Sequence, residues 1–193
     1  MTAVCDNYPN HFININNQKH QCRAGGILPY TIVNNKLWFL LQKSGTKKKL
    51  YSDFGGKREE DDKNIMHTAA REFSEETNGI FYYNQIFKDT KNNIKKSTII
   101  TESLLNYTNP LFVYNFNGKY LIYLLRLYPI DIKKFDNIEY FTNMKRTCEW
   151  IDGNILKSDS FIYNELQYRL RKGLKKTINK LYDILYSNED INF

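Results

Sequence analysis

The chain is poor in the residues that could stabilise a small fold by covalent or metal cross-links. Its 193 residues include three cysteines, and none of them forms a C-x-x-C pair. Neither a zinc site nor a redox motif is therefore indicated. A small, odd number of distant cysteines is typical of reduced thiols inside the cell. These cysteines are Cys5, Cys22 and Cys148.

Long apolar runs are also missing. The longest, around residues 120–125, has the length of a strand, whereas a helix that spans a bilayer needs about 20 residues. The first seven residues lack the basic and apolar regions of a secretory signal, so we expect a cytoplasmic protein with no membrane partner. Apolar residues make up 41% and charged residues 25% of the chain, which is typical of a globular protein.

Charge is unevenly distributed along the chain, whose net charge is +7. Residues 1–50 carry 7 basic and 1 acidic side chains, whereas residues 51–90 carry 5 basic and 9 acidic ones. An acidic segment of this kind suits a bound divalent cation, and its basic surroundings suit a polyanion. The charge distribution alone does not exclude the alternative that the scattered lysines only make the protein more soluble.

Hydrophobic patterning predicts strands around one central helix and a closing helix. This order favours an α/β fold, a mixed sheet with helices on its faces, and the length favours a single domain over 23–193. The predicted elements are an irregular arm (1–22), a hairpin (26–33 and 36–43, turning at Asn34-Asn35), a basic loop (45–49), a helix (63–77, capped by Asp61 or Asp62 and ended by Asn78-Gly79), a strand within 97–107, a hairpin (111–116 and 120–127), a short strand (149–151) and a basic amphipathic helix (160–186).

The central helix carries an unusual group of carboxylates. Helical spacing puts Glu72, Glu75 and Glu76 on one surface, where like charges three or four residues apart cost about 0.2–0.5 kcal/mol per pair. We expect Arg71 to offset Glu75 but not all three acids. A hard cation such as Mg²⁺ prefers oxygen ligands and would compensate them. The alternative is an acidic helix face that is merely solvated.

The segment around these acids resembles the signature of the Nudix hydrolases, G-x5-E-x7-R-E-U-x-E-E-x-G-U, where U is a bulky aliphatic residue. The likeness spans about 25 residues, with an aromatic side chain in one aliphatic position. The positions that match in order are Gly56, Arg71, Glu72, Phe73, Glu75, Glu76, Gly79 and Ile80. The resemblance implies a Nudix-type α/β/α sandwich, with a catalytic helix that follows a Gly-Gly loop.

Two departures from the signature fall at the ends of the helix. Five residues separate Gly56 from Asp62 and eight separate Asp62 from Arg71, while strict spacing from Arg71 reaches Lys63. Either Asp61 or Asp62 therefore takes the role of the first glutamate, or that role is lost. Asn78 is an extra residue before Gly79. Loops absorb length at helix ends, so we expect activity to survive.

The resemblance implies metal-dependent hydrolysis of a diphosphate linkage in a nucleoside diphosphate derivative, with Mg²⁺ or Mn²⁺. Glu72, Glu75 and Glu76 would be catalytic metal ligands, joined by the Gly56 carbonyl. Gly55, Arg71, Asp62 and Gly79 would hold the motif in shape. Members often place a further base before the last strand, where Glu139 and Glu149 are candidates and an ordinary surface carboxylate is the alternative for each.

Substrate contacts are predicted from residue types. Lys57 follows the glycines at a turn rich in backbone N–H groups, and Arg23 and Lys43 lie near strand ends, so all three could bind phosphate. Each could equally be a solvated cation. His67 has no second histidine at metal-binding spacing and is interpreted as structural. The aromatic residues that could stack on a base are Tyr30, Trp38, Phe54 and Tyr82.

Two classes of substrate remain open. The basic excess suits capped RNA, and residues 54–80 also resemble the decapping Nudix proteins of large DNA viruses; no DNA partner is expected. The other class is a small nucleotide, such as a dinucleoside polyphosphate. A non-catalytic RNA-binding module on a Nudix scaffold is the alternative function. We expect a monomer or a homodimer. The last helix is predicted to pack on its own domain, and the alternative is an interaction element.

Overall fold

The computed structural model describes residues 11–44, 50–81, 89–128 and 135–186. Ten strands and five helices lie within these ranges. The strands are β1 (Phe12–Ile15), β2 (Gln18–Gln21), β3 (Ala24–Val33), β4 (Lys36–Ser44), β5 (Tyr51–Ser52), β6 (Phe54–Lys57), β7 (Phe112–Asn115), β8 (Tyr120–Arg126), β9 (Phe135–Ile138) and β10 (Lys145–Asp152). The helices are α1 (Ile65–Glu76), α2 (Thr90–Thr108), α3 (Gly153–Leu156), α4 (Asp159–Glu165) and α5 (Tyr168–Tyr186).

Eight strands form one mixed sheet with helices on both faces, as the sequence predicts. Its order is β7-β8-β3-β4-β10-β9, with β5 paired to β4 and β6 paired to β3. The β3–β8 pair is parallel and the other pairs are antiparallel. On one face, Ala69 and Phe73 of α1 and Leu105 of α2 are fully buried. On the other face, the stripe of α5 that contains Leu170 and Leu174 is fully buried.

The predicted hairpins are present. Asn34 and Asn35 join β3 to β4 with φ of 51° and 57°, the left-handed region that asparagine tolerates better than most residues. Asn78 and Gly79 end α1 with φ of 53° and 69°. At Gly79 a Cβ would lie 2.8 Å from the Asn93 carbonyl oxygen, so the close approach of α2 adds a second reason for glycine. These turns depend on local sequence, which is why they could be predicted.

The strand predicted within 97–107 is wrong, because this segment belongs to α2. Its buried residues Ile94, Thr98, Thr101 and Leu105 follow the three- and four-residue spacing of a helix that packs on one face. The many β-branched residues suggested a strand, but packing against α1 determines the structure. The predicted Asp61 or Asp62 cap is also wrong, since Asn64 caps α1 and its side chain accepts the His67 N–H at 2.8 Å.

Two terminal segments differ from the expectation. Residues 12–21 form the β1–β2 hairpin, with Asn16 and Asn17 in the left-handed region, rather than an irregular arm. The predicted helix over 160–186 is divided into α4 and α5 because Leu166 is extended and bridges to Tyr51. The buried stripe of α5 packs in the same core cluster as residues of β4 and β8. The division into an arm and one domain stays a prediction, and the loop at 45–49 lies outside the described residues.

No helix in the described ranges is both long enough and apolar enough to cross a bilayer.

Candidate active site

Paired glycines bring β6 close to β3 and to α1. Gly25 lies opposite Gly56, and Gly26 lies opposite Gly55. A Cβ on Gly56 would lie 2.5 Å from Oε2 of Glu72, so the missing side chain leaves the room that the carboxylate occupies. The Gly-Gly step of the motif therefore places the β6 backbone directly against the acidic helix.

Helix α1 presents its carboxylates on the surface beside its buried stripe. Ile65, Ala69 and Phe73 are buried in the core, and the Phe73 ring packs edge-to-face on the Phe54 ring at 5.4 Å. The adjacent surface carries the predicted acids, of which Glu76 is the most buried at 5% exposure. Packing of the apolar stripe thus fixes the direction of the acidic face.

Arg71 forms the centre of an ion-pair cluster. Its Nε and Nη2 atoms donate to the two carboxylate oxygens of Asp62 at 2.9 and 3.0 Å. Its Nη1 atom donates to Glu72 and Glu75, each at 3.1 Å. Arg71 therefore contacts Glu75 as predicted and also Glu72, while Glu76 pairs with an arginine of β10.

The two aspartates that the sequence left open differ in environment. Asp62 is buried at 5% exposure, whereas Asp61 is exposed. Burial disfavours the charged form of Asp62, but hydrogen bonds from Arg71 and from the Glu59 N–H outweigh it and lower the pKa of this carboxyl. Asp62 is thus the residue that pairs with the arginine of the motif.

Glu76 is held by three donors from three strands. Its Oε2 atom accepts the Gly55 N–H at 2.8 Å and the Gln42 amide at 2.5 Å. Nη2 of Arg146 lies 2.9 Å from Oε1 of Glu76. Arg146 also donates to the buried Glu139 through Nε at 2.9 Å and through Nη2 at 2.5 Å. Glu139, the predicted outside base, is therefore connected to Glu76 through one arginine.

Burial makes the charged forms of the helix glutamates unfavourable. It raises the pKa of Glu72 to about 7, against the lowering effect of Arg71 and with a further contribution from the charge of Glu75. It raises the pKa of Glu76 to about 8, although Arg146 and Arg169 oppose the shift. The pKa of Glu75 is also raised, with burial again the main cause. Such carboxylates would gain from a cation placed among them.

A cleft with four cationic side chains opens beside Gly56. Its volume is about 730 Å³, and we call it the basic cleft. Among the described residues, none that lines it is acidic, and two of the lining residues, Arg23 and Lys57, are predicted phosphate contacts. The lining residues are Arg23, Ala24, Gly56, Lys57, Arg58, Gly118, Tyr120 and Arg169.

Two other predicted site residues, Lys43 and Glu149, lie away from the glutamates of α1. Lys43 places its Nζ atom 3.9 Å from the centre of the Tyr51 ring and 4.0 Å from Glu165, and it does not line the basic cleft. Glu149 accepts a hydrogen bond from the Tyr51 hydroxyl at 2.7 Å. The structure therefore groups Lys43 and Glu149 around Tyr51 rather than around α1.

The aromatic candidates differ in what they could contact. Phe54 is fully buried, so a base cannot stack on it. Tyr30 and Trp38 are partly buried, Tyr30 beside the Phe39 ring at 6.2 Å, while Tyr82 lies outside the described residues. His67 has Nδ1 3.1 Å from Glu102, a contact between α1 and α2 that agrees with its structural interpretation.

Sequence reasoning missed the side chains that surround Glu76 from other elements. Gln42, Arg146 and Arg169 all influence this carboxylate. A glutamine directly after the apolar run of β4 is a weak signal for Gln42. Nothing in the sequence reveals the register that sets β10 beside β4, so Arg146 could not be assigned.

Comparisons with known proteins bear on the family and the fold. No protein-family model matches the chain. It is 32% identical to uncharacterized protein L534 of Acanthamoeba polyphaga mimivirus over 192 residues, covering 75% of this chain. The match spans 61% of that relative's length.

Solved structures provide a second comparison. A C. elegans Ap4A hydrolase, in a binary complex, has a TM-score of 0.50 and 14% identity over 86% of this chain and 99% of its own. The NUDIX domain of Shewanella oneidensis NrtR, complexed with ADP ribose, has a TM-score of 0.45 and 13% identity over 85% of this chain and 90% of its own.

Proposed function

The chain has the Nudix fold, and from this premise we propose that it is a metal-dependent hydrolase of a diphosphate linkage in a nucleoside diphosphate derivative. One observation carries the proposal: the Glu72 carboxylate lies against Gly56, which lines a cleft with four cationic side chains. The acids would bind the cation and the cleft would bind the substrate's phosphates. Phosphoryl transfer depends on this kind of positioning and charge neutralisation.

The donor set fits a hard divalent cation. Glu72, Glu75, Glu76 and the Gly56 carbonyl offer only oxygen atoms, which Mg²⁺ and Mn²⁺ accept. Arg71 and Arg146 lie against these carboxylates, and no three acidic, histidine or cysteine side chains within the described ranges are already gathered as ligands. When bound, Mg²⁺ or Mn²⁺ would lower the pKa of a water molecule and neutralise phosphoryl charge.

The surrounding side chains position the acids. Arg71, anchored by Asp62, holds Glu72 and Glu75, and Arg146 holds Glu76. Glu139 stays the candidate outside base, and its carboxylate accepts two hydrogen bonds from the Arg146 guanidinium. We therefore favour a role for Glu139 in orienting Arg146.

Arg23 and Lys57 would bind substrate phosphates from the basic cleft. The C. elegans neighbour is an Ap4A hydrolase, which supports including dinucleoside polyphosphates among the substrates. The 5′ cap of RNA contains the same kind of linkage, so capped RNA belongs to the proposal as well. A monomer acting in the cytoplasm and a homodimer both remain compatible with it.

Charge-removing variants of the acids test the proposal. We expect Glu72→Gln and Glu76→Gln each to lower kcat/KM at least about 100-fold with Mg²⁺ or Mn²⁺, because several kcal/mol of transition-state stabilisation depend on the bound cation. Substrates would be diadenosine tetraphosphate, ADP-ribose, nucleoside triphosphates and capped RNA. Glu60→Gln is the matched control, because Glu60 is exposed and precedes the helix.

Two results would overturn the catalytic proposal. One is unchanged turnover in both glutamine variants. The other is a wild-type protein that cleaves no substrate of the panel yet retains RNA, which would favour the alternative of a non-catalytic RNA-binding module on the same fold.

A further inference from the structure

Three aromatic rings pack together where β7 enters the turn that leads to β8. His20 of β2 and Tyr114 of β7 both pack against Phe116, with ring centres 5.1 and 4.9 Å away in edge-to-face geometry. Phe116 is 53% exposed. We call these three residues the aromatic cluster. The exposed Phe116 ring offers a face on which a nucleobase of any sequence can stack.

The turn between β7 and β8 connects the aromatic cluster to the basic cleft. Phe116 precedes Gly118, which lines the cleft. The carbonyl of Lys119 accepts the Arg23 N–H at 2.8 Å, and the carbonyl of Arg23 accepts the Arg58 N–H at 3.2 Å. Cationic residues therefore follow one another along backbone hydrogen bonds, from the cluster toward Gly56.

The side chain of Lys119 strengthens this connection. Its Nζ atom lies 2.7 Å from Oε1 of Gln21, the residue next to His20. Tyr114 is fixed to the same strand because its hydroxyl donates to the Gln21 carbonyl at 2.6 Å. Lys119 therefore supplies a cation at the strand that carries His20, and four further cationic side chains line the basic cleft.

We infer that a single-stranded polynucleotide, joined by its 5′ end to the scissile diphosphate, passes through the basic cleft and stacks a base on the aromatic cluster. The inference rests on the proposed function and specifies its substrate class. Alternating phosphate contacts and stacked bases match the combination of cations and exposed rings found here. A small nucleotide has no chain to reach the rings.

Two substrates with the same linkage test the inference. Both carry guanosine joined by a 5′–5′ triphosphate, one to a single uridine and one to a chain of ten uridylates. We expect the KM of the ten-nucleotide substrate to be at least about 10-fold lower. Phe116→Ala should raise this KM about 5-fold or more, because stacking on one ring is lost, and should leave the single-uridine substrate unaffected.

Lys119→Gln is a second, independent variant, and its effect is measured by salt titration. For a single strand, each neutralised phosphate contributes about −0.7 to the slope of log affinity against log salt. We expect Lys119→Gln to reduce the slope for the ten-nucleotide substrate by about 0.7, with kcat unchanged. Tyr107→Ala is the matched control, since Tyr107 is 90% exposed and lies on α2.

Binding separates this inference from the proposed function. Fluorescence anisotropy with 3′-labelled oligouridylate and its deoxy counterpart measures binding of the strand to the basic cleft and the aromatic cluster. Both probes lack the diphosphate linkage. Tighter binding of either probe by the wild type than by Phe116→Ala supports the inference. The difference in affinity between the two probes tells RNA from DNA. Equal KM for the two linked substrates, or equal effects of Phe116→Ala and Tyr107→Ala, would overturn it. Absence of all turnover with intact binding would instead contradict the proposed hydrolase.

Discussion

Asp53 and Arg169, which are 116 positions apart in the chain, form an ion pair in which Nε lies 2.9 Å from Oδ1. Asp53 is fully buried, and its Oδ2 atom accepts the Tyr120 hydroxyl at 2.7 Å. The Asp53 carbonyl accepts the Gln42 amide at 2.9 Å, and the same amide donates to Glu76. This arrangement connects α5 to the strand that carries Gly55 and Gly56.

We expect Arg169→Met to destabilise the protein more than Asp53→Asn does. Loss of the arginine leaves a carboxylate with no solvent exposure and no cation, a change that costs about 3–5 kcal/mol in buried pairs. Loss of the carboxylate is milder because the Arg169 side chain is 26% exposed and water can solvate it. The free energies of unfolding would come from urea denaturation.

Lys175→Met on the same helix is the control for this prediction. Lys175 pairs with Asp159 at 2.7 Å, but the two side chains are 48% and 67% exposed. Exposed pairs contribute at most about 1 kcal/mol. Equal destabilisation by Lys175→Met and Arg169→Met would show that the buried Asp53–Arg169 pair contributes no more to the free energy of unfolding than an exposed pair does.

The hairpins and the acidic helix could be predicted because their signals are local. Asn34-Asn35 sits between two strand-like runs, and the spacing of Glu72, Glu75 and Glu76 fixes their common surface on any helix. The same reasoning failed for α2, whose β-branched composition favours a strand until α1 packs against it. Local sequence therefore determined the motif but not its neighbours.

The supports of the site could not be predicted because they depend on long-range register. Arg146 donates to Oε1 of Gln42, 104 positions away, only because β10 pairs with β4. Arg169 reaches Asp53 only because the helix predicted over 160–186 breaks at Leu166 and docks as α5. Neither arrangement has a periodicity that a single sequence could reveal.

Metal binding should depend on pH between about 6 and 8. Burial raises the pKa of Glu72 to about 7 and that of Glu76 to about 8, so both carboxyls are partly protonated in the metal-free protein at neutral pH. A cation binds the deprotonated forms, and we expect roughly one to two protons to be released per Mn²⁺ bound at pH 7. Calorimetric titrations in two buffers with different ionisation enthalpies would measure it. Binding heats that do not depend on the buffer would contradict the assignment of these acids as ligands.

The same carboxyls should affect stability without metal. Their pKa values are higher in the folded than in the unfolded state, so the folded protein binds more protons over the window from about pH 4.5 to 8. The contribution of these groups to the free energy of unfolding therefore falls as pH rises through that window. Mn²⁺ should reduce this fall, and Glu76→Gln should remove part of it, which urea denaturation at several pH values would show.

Gly56→Ala should lower activity with little effect on stability. The new Cβ would lie 2.5 Å from Oε2 of Glu72 and must displace that carboxylate, the flexible end of its side chain. Displacement of a reacting group by about 1 Å can cost as much as 100-fold in rate, so we expect kcat/KM to fall about 10- to 100-fold. Gly118→Ala is the control, because its nearest neighbour would be 3.8 Å away although it lines the same cleft. Full activity in Gly56→Ala, with a melting temperature near that of the wild type, would remove Glu72 from the catalytic group.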